Sequence, residues 1–220
     1  MQALRCFVAV PLSEAVRAAL AGLQRVLRGR VPDGFRWDRQ ENLHITLKFL
    51  GDVPVADLPA VFGAASRAAA RAEATELAVV GVGAFPRPSR PRVLIAQLSD
   101  PGGCVSALTR ALEDELSELG FARDDRAFHP HVTLARAKGP NRPPDLSDEL
   151  AEVDTSSVPE VVVEELAVYQ SDLRPSGAVY TVLSAEALAY RDTGAAAQRE
   201  GNRTSETECR IHNADVGGGR

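Results

Sequence analysis

Two short segments of this chain carry one pattern. His44-Ile45-Thr46-Leu47 and His131-Val132-Thr133-Leu134 both read histidine, β-branched aliphatic, threonine, leucine. Each sits in an alternating run rich in strand formers, Asn42 to Leu50 and Phe128 to Arg136. On a strand, residues i and i+2 share a face. His44 and Thr46 therefore leave one face while Ile45 and Leu47 leave the other, and His131 and Thr133 oppose Val132 and Leu134 likewise. The fold must bury one face of both strands and still present an imidazole and a hydroxyl on each opposite face. By the chain's own composition, a given histidine has roughly a 0.4% chance of Thr at +2 and Leu at +3. Two such hits among four histidines is roughly a one-in-ten-thousand event, so the repeat is treated as meaningful.

The elements around these segments follow from periodicity. Leu4 to Val10 is a short apolar strand ended by Pro11. Ser13 is placed to cap a helix over Glu14 to Arg28, where Leu20, Leu23 and Leu27 recur at helical spacing. Gly34 to Arg39 reads as loop and carries Trp37. Ala56 to Ala74 reads as helix, Leu77 to Phe85 and Arg92 to Leu98 as strands, and Val105 to Leu119 as a helix capped by Gly120. A Pro-rich turn with a short helical piece is expected in Asn141 to Glu152. Val161 to Tyr169 and Ala178 to Ser184 are two further strands around the hairpin signal at Arg174-Pro175-Ser176-Gly177.

This order gives an α+β fold, a duplicated unit of mostly antiparallel sheet with one histidine strand per half. The folded domain is expected over 1–185. Residues 186–220 lack apolar periodicity, are rich in Gly, Asn, Thr, Glu and Arg, and read as a disordered tail.

Composition excludes several classes. The net charge of −5 argues against a general nucleic-acid coat but allows a small anion in a locally basic cleft. No run approaches the roughly 18 apolar residues of a membrane span, and the N-terminus lacks a secretory pattern. Cys6, Cys104 and Cys209 are far apart and odd in number, so neither a zinc motif nor a disulfide framework is indicated and a cytoplasmic location is expected.

Two imidazoles and two hydroxyls suit a reaction that both removes and delivers a proton near neutral pH. One histidine must be neutral to act as base and the other protonated to act as acid. A threonine hydroxyl can donate to a non-bridging phosphate oxygen. In an in-line displacement at phosphorus the nucleophile and leaving group lie on opposite sides, so acid and base belong on opposite walls of a cleft. A metal site using His44, His129 and His131 is the rival reading; no acid or cysteine lies in either motif to complete it, and the threonines would then have no role.

Taken together these residues resemble the two-histidine phosphoesterase superfamily, specifically the bacterial RNA 2′,3′-cyclic phosphodiesterases historically called 2′-5′ RNA ligases. The resemblance runs from about Leu4 to Ala185. It includes Phe7 to Leu12, Asn42 to Gly51, Gly83-Ala84-Phe85-Pro86, Phe128 to Arg136, and Ser171, Leu173, Gly177 and Tyr180. It implies a bilobal fold, two pseudo-symmetric lobes of sheet with outer helices around a central cleft. It also implies opening of a 2′,3′-cyclic phosphate to a 2′-phosphomonoester with no metal or other cofactor. His44 would be the general acid toward the departing 3′ oxygen and His131 the general base toward water. Thr46 and Thr133 would hold phosphate oxygens, with Arg136 as a phosphate clamp. On an ideal strand Arg136 shares the face of Leu134, so it reaches the cleft only through a bulge or strand end. The partners expected are RNA ends or small nucleotides bearing a cyclic phosphate, on a monomer with no membrane attachment.

Other residues are weighed against plainer roles. His129 is read as a rim residue rather than a substrate contact. Lys48 shares the parity of His44 and is either a phosphate attractor or a solvated strand end. Arg87, Arg90 and Arg92 form either a funnel for RNA or a solvated loop. Trp37 and Phe49 are read as core rather than as base-stacking platforms. Cys104 and His212 are given no role. Two other readings stay open: the same scaffold could cleave or join 2′-5′ linkages or open a nucleotide-sugar cyclic phosphate, or it could be a non-catalytic module that binds nucleotides or RNA ends.

Overall fold

The computed structural model describes residues 2–140, 143–175 and 177–189. The tail from 190 on, with His212 and Cys209, lies outside the described residues. The strand that closes the domain runs to Ala187, and Leu188 after it is buried.

The elements, in chain order, are β1 (Ala3–Pro11), α1 (Glu14–Arg28), β2 (Phe35–Trp37), β3 (His44–Pro54), α2 (Leu58–Ala69), β4 (Thr75–Phe85), β5 (Val93–Ser99), α3 (Cys104–Ser117), β6 (His131–Ala137), α4 (Ser147–Ala151), β7 (Val161–Val163), β8 (Glu165–Arg174) and β9 (Gly177–Ala187). The fold is α+β, a curled antiparallel sheet in the strand order β7-β4-β5-β6-β3-β1-β8-β9, with β2 beside β6. Helix α1 begins where Ser13 accepts the Val16 amide and buries Val16, Leu20, Leu23 and Leu27. These join one continuous core with Val8, Val10, Ile45, Leu94, Val132, Leu134 and Leu166.

The two halves of the sheet meet at β3 and β6, the histidine strands, through one antiparallel pair, Ile45 with Val132. Both side chains are fully buried. On one side of this seam lie β3, β1, β8 and β9, and on the other β6, β5, β4 and β7. The pseudo-symmetric lobes are present, but they are not the sequential halves of the chain. Strand β4 leaves the first half to join the second lobe, and β8 and β9 return from the C-terminal end to complete the first. The segment Val161 to Tyr169, expected as one strand, is two. Strand β7 pairs with β4 in one lobe and β8 pairs with β1 in the other, so the break at Glu164 is where the chain crosses between lobes. Gly34 to Arg39 also differs from expectation: Phe35, Arg36 and Trp37 form β2 against Ala137, Arg136 and Ala135.

One irregularity recurs in both histidine strands. In β3, Ala9 faces Thr46 and Val8 faces Lys48, leaving Leu47 as an extra residue. In β6, Ile95 faces Thr133 and Leu94 faces Ala135, leaving Leu134 as the extra residue. A bulge of this kind reverses the side-chain alternation beyond it. Past Leu47, Lys48 turns inward and Phe49 outward; past Leu134, Ala135 turns inward and Arg136 outward.

Candidate active site

The unbulged start of each motif places His44 and Thr46, and His131 and Thr133, on the face opposite the buried Ile45 and Val132. Continuing the antiparallel register by one residue each way sets His44 level with Thr133 and His131 level with Thr46. The seam therefore alternates imidazole and hydroxyl around one point.

Both rings are held by the same device. The Nδ1–H of His44 donates to the Asn42 carbonyl at 2.7 Å, and that of His131 donates to the His129 carbonyl at 2.7 Å. A carbonyl can only accept, so it fixes Nδ1 as the protonated nitrogen and leaves Nε2 free for chemistry. In His44, Nε2 lies 2.9 Å from the Thr46 hydroxyl, which donates to it when the ring is neutral. Asn42 is itself tied down, its side-chain amide donating to the Ala178 carbonyl on β9 at 2.8 Å. His129 contributes its backbone; its side chain is exposed at the rim.

Aromatic rings pack around His44. Phe7 lies 4.9 Å away between centroids and Tyr180 meets it edge-on at 5.4 Å. Phe7 also stacks on Tyr169 at 5.1 Å. Phe85 meets His131 edge-on at 4.9 Å. Burial removes water from an imidazolium, so it favours the neutral ring. His44 is pushed down to about 4 by this desolvation, against the opposing Asn42 hydrogen bond and with a further lowering from Arg136 and His131. His131 is lowered too, first by burial and then by the charges of Arg136 and His129, against its hydrogen bond to His129.

Arg136 thus acts on both histidines. The bulge at Leu134 is the feature that turns it to their face, the condition the ideal strand did not meet. Asp38 beside it is raised by burial while Arg136 and Arg36 pull it down.

A stability prediction follows. Above pH about 6.5 His44 is neutral in folded and unfolded chains alike. Between there and about 4 the unfolded chain takes a proton that the folded one refuses, so stability falls as pH falls through this window. The full effect is about 3 kcal/mol. Urea unfolding from pH 7 to 4 should show His44→Gln losing less stability than the wild type; equal losses would contradict the buried, neutral ring.

Two other candidates, Lys48 and Phe49, are placed differently from expectation. Lys48 does not line the cleft and is not solvated. It is 8% exposed, and its ammonium donates to both Glu113 carboxylate oxygens at 2.7 and 2.8 Å and to the Ala122 carbonyl at 2.6 Å. Phe49 is not core; it is 67% exposed on the outward side of the β3 bulge. Trp37 packs against the core with the Arg28 guanidinium 5.1 Å over its ring. Arg90 and Arg92 line a shallow cavity with Pro86 and Pro140, and Arg87 is exposed nearby in sequence. Among the described residues no group of three His, Cys, Asp or Glu side chains is placed to hold a metal ion.

Sequence reasoning alone missed Asn42, Asp38 and Gln24, and the ring contacts of Phe7 and Tyr169. The one legible signal was positional: Asn42 and His129 each stand two residues before a motif histidine.

A curled sheet with one His-x-Thr pair from each lobe at its seam defines a two-histidine phosphoesterase. Residues 10–95 and 99–180 match the family described as LigT like Phosphoesterase, and the chain belongs to that family. It is 33% identical over 177 residues to the RNA 2′,3′-cyclic phosphodiesterase of Methanothermobacter thermautotrophicus, covering 80% of this chain and 95% of that protein. It is 34% identical over 210 residues to the protein of the same name from Thermus thermophilus, covering 91% and 98%. Among solved structures, TT0787 of Thermus thermophilus superposes with a TM-score of 0.68 at 32% identity, covering 85% of this chain and 99% of that one. The E. coli LigT structure complexed with 3′-AMP superposes at 0.66 with 25% identity, covering 85% and 99%.

Proposed function

We propose that this protein is an RNA 2′,3′-cyclic phosphodiesterase that opens the cyclic phosphate to a 2′-phosphomonoester by paired-histidine acid–base catalysis without a metal. The observation that carries the reading is the matched anchoring of the two imidazoles. Each Nδ1 is committed to a backbone carbonyl, and each Nε2 is left for the same seam. The relatives' names support the substrate class.

In this reading a cyclic phosphate sits between the motifs, with Thr46, Thr133 and Arg136 donating to its non-bridging oxygens. His131 Nε2 takes a proton from water as the oxygen attacks phosphorus. The bond from phosphorus to the 3′ oxygen breaks in line, and His44 Nε2–H delivers its proton to that oxygen. The product keeps the 2′ ester and gains a free 3′ hydroxyl. The order, His44 as acid and His131 as base, follows the family pattern. Both rings are neutral in the free cleft near pH 7. The phosphate anion offsets Arg136 and favours the imidazolium that the acid step requires.

One chain supplies both motifs, so a monomer suffices. The free thiols of Cys6 and Cys104 fit a reducing, cytoplasmic compartment. No helix among the described residues is long and apolar enough to cross a membrane.

Product analysis tests the reading. From 2′,3′-cyclic AMP in ¹⁸O-water, 2′-AMP should accumulate with the label in its phosphate. Formation of 3′-AMP, or no turnover of any cyclic phosphate with tight binding of the 2′-phosphate nucleotide, would overturn it.

A further inference from the structure

The bulge at Leu134 lies in the pairing of β6 with β5; on the opposite edge the Leu134 carbonyl continues the β2–β6 register and accepts a second, side-chain donor. Two donors reach it. The Asp38 amide donates to Leu134 O at 3.0 Å, and Gln24 Nε2 donates to the same oxygen at 2.9 Å. The second hydrogen of Gln24 Nε2 goes to the Asp38 carbonyl at 3.0 Å. Gln24 is 4% exposed in the middle of α1, on a face otherwise formed by Val16, Leu20, Leu23 and Leu27. A glutamine there is disfavoured unless its amide is satisfied. Both of its contacts fall on the bulge and on the segment that follows β2.

We propose that Gln24 is a positioning residue for Arg136. By tying Leu134 O to the chain at Asp38, it locks the bulge that turns the guanidinium of Arg136 from the core side of β6 to the face of His131 and Thr133. Without this lock β6 can relax toward regular alternation, which returns position 136 to the side of Leu134. The register makes the demand clear. Arg36 of β2 faces Arg136 directly, so two like charges are held in register, with the Asp38 carboxyl feeling both. His44, His131, Asp38 and Tyr180 all feel Arg136. A change at Gln24 should therefore be read by all four, although the hydrogen bonds of Gln24 go to backbone carbonyls.

This inference rests on Arg136 as the phosphate clamp, and the test separates the two. Inorganic phosphate is titrated into the full chain, and the histidine rings are followed by NMR, for Gln24→Met, Arg136→Met and the double variant. Arg136→Met should weaken phosphate about tenfold or more and move the His44 and His131 titrations upward. Gln24→Met, nearly the same shape without the donors, should move both readouts in the same direction by a smaller factor. The double variant should bind phosphate no more weakly than Arg136→Met alone, because residues acting through one group do not add. If Met at 24 does not fold, Gln24→Asn, which draws the amide back by one methylene, is read in the same way. A Gln24 variant that lowers Tm but leaves phosphate affinity and both titrations at wild-type values overturns the inference, as does full additivity with Arg136→Met. If Arg136→Met itself leaves phosphate affinity unchanged, the clamp reading fails and the Gln24 inference fails with it.

Discussion

His44→Ala and His131→Ala should each lower kcat/KM on a 2′,3′-cyclic phosphate by about a thousandfold or more while the protein stays folded. General acid and general base catalysis contribute on the order of 10²–10⁴ each, and in the proposed mechanism the two histidines move different protons at one phosphorus, so neither ring substitutes for the other. The two variants should differ in kind. A bell-shaped profile has a limb where the base gains its proton and a limb where the acid loses its own. Loss of the base at His131 should remove the acidic limb from the residual activity, and loss of the acid at His44 should remove the alkaline limb. The reverse pattern would keep the chemistry and exchange the roles. Near-wild-type activity in either variant would remove paired-histidine catalysis altogether. The geometry favours a large effect because both rings are pre-oriented by carbonyls at 2.7 Å, so little reorganisation is left to the moment of reaction.

The largest stability effect is expected away from the chemistry, at Lys48. Its ammonium and the Glu113 carboxylate form a pair in which both side chains are largely buried, at 9% and 13% exposure. Removing one partner of such a pair leaves an uncompensated charge and typically costs 3–5 kcal/mol, whereas replacing both by apolar groups is often close to neutral. Lys48→Met should therefore lose about 3 kcal/mol, or roughly 6–12 °C in Tm for a domain of this size. The double variant Lys48→Met/Glu113→Leu should recover most of it. A single variant as stable as the wild type would show that the pair is not desolvated. The pair also joins α3 to β3 just past the Leu47 bulge. A modest activity loss in the single variant that the double restores would fit a strand held in place by this contact.

Lys48 also shows where the sequence stopped being legible. Period-two alternation placed it with His44 and Thr46, and the rule was sound as far as Leu47. The extra residue there reversed the phase, so a lysine read as either a phosphate attractor or a solvated strand end became a core ion pair, and Phe49, assigned to the core, came out to solvent. The same event at Leu134 worked in the opposite sense and gave Arg136 the outward position it needed. Nothing in the local sequence marks either bulge. The devices that stabilise one of them, Gln24 in α1 and the amide of Asp38, are far from β6 along the chain.

Long-range pairing explains the other differences. The motif strands, α1 and the β8–β9 hairpin follow from local periodicity and turn chemistry, and they appear where those signals placed them. Which strands share a lobe depends on tertiary pairing. The apolar run from Val161 is interrupted only by Glu164-Glu165, and that pair does not say that Val161 to Val163 and Glu165 onward belong to different lobes. The rings near His44 were likewise scattered in sequence, at Phe7, Tyr169 and Tyr180, and only the folded sheet gathers them. Their effect, a histidine pushed down to about 4, could not be read from a motif that is chemically the same in both halves.

The most direct measurement of the central claim is turnover of 2′,3′-cyclic AMP in excess EDTA by the wild type beside the double variant His44→Ala/His131→Ala. The proposed mechanism predicts an undiminished wild-type rate under chelation, 2′-AMP as the sole product, and no detectable turnover by the double variant. A rate that survives in the double variant, or one that EDTA abolishes and a divalent cation restores, would contradict it.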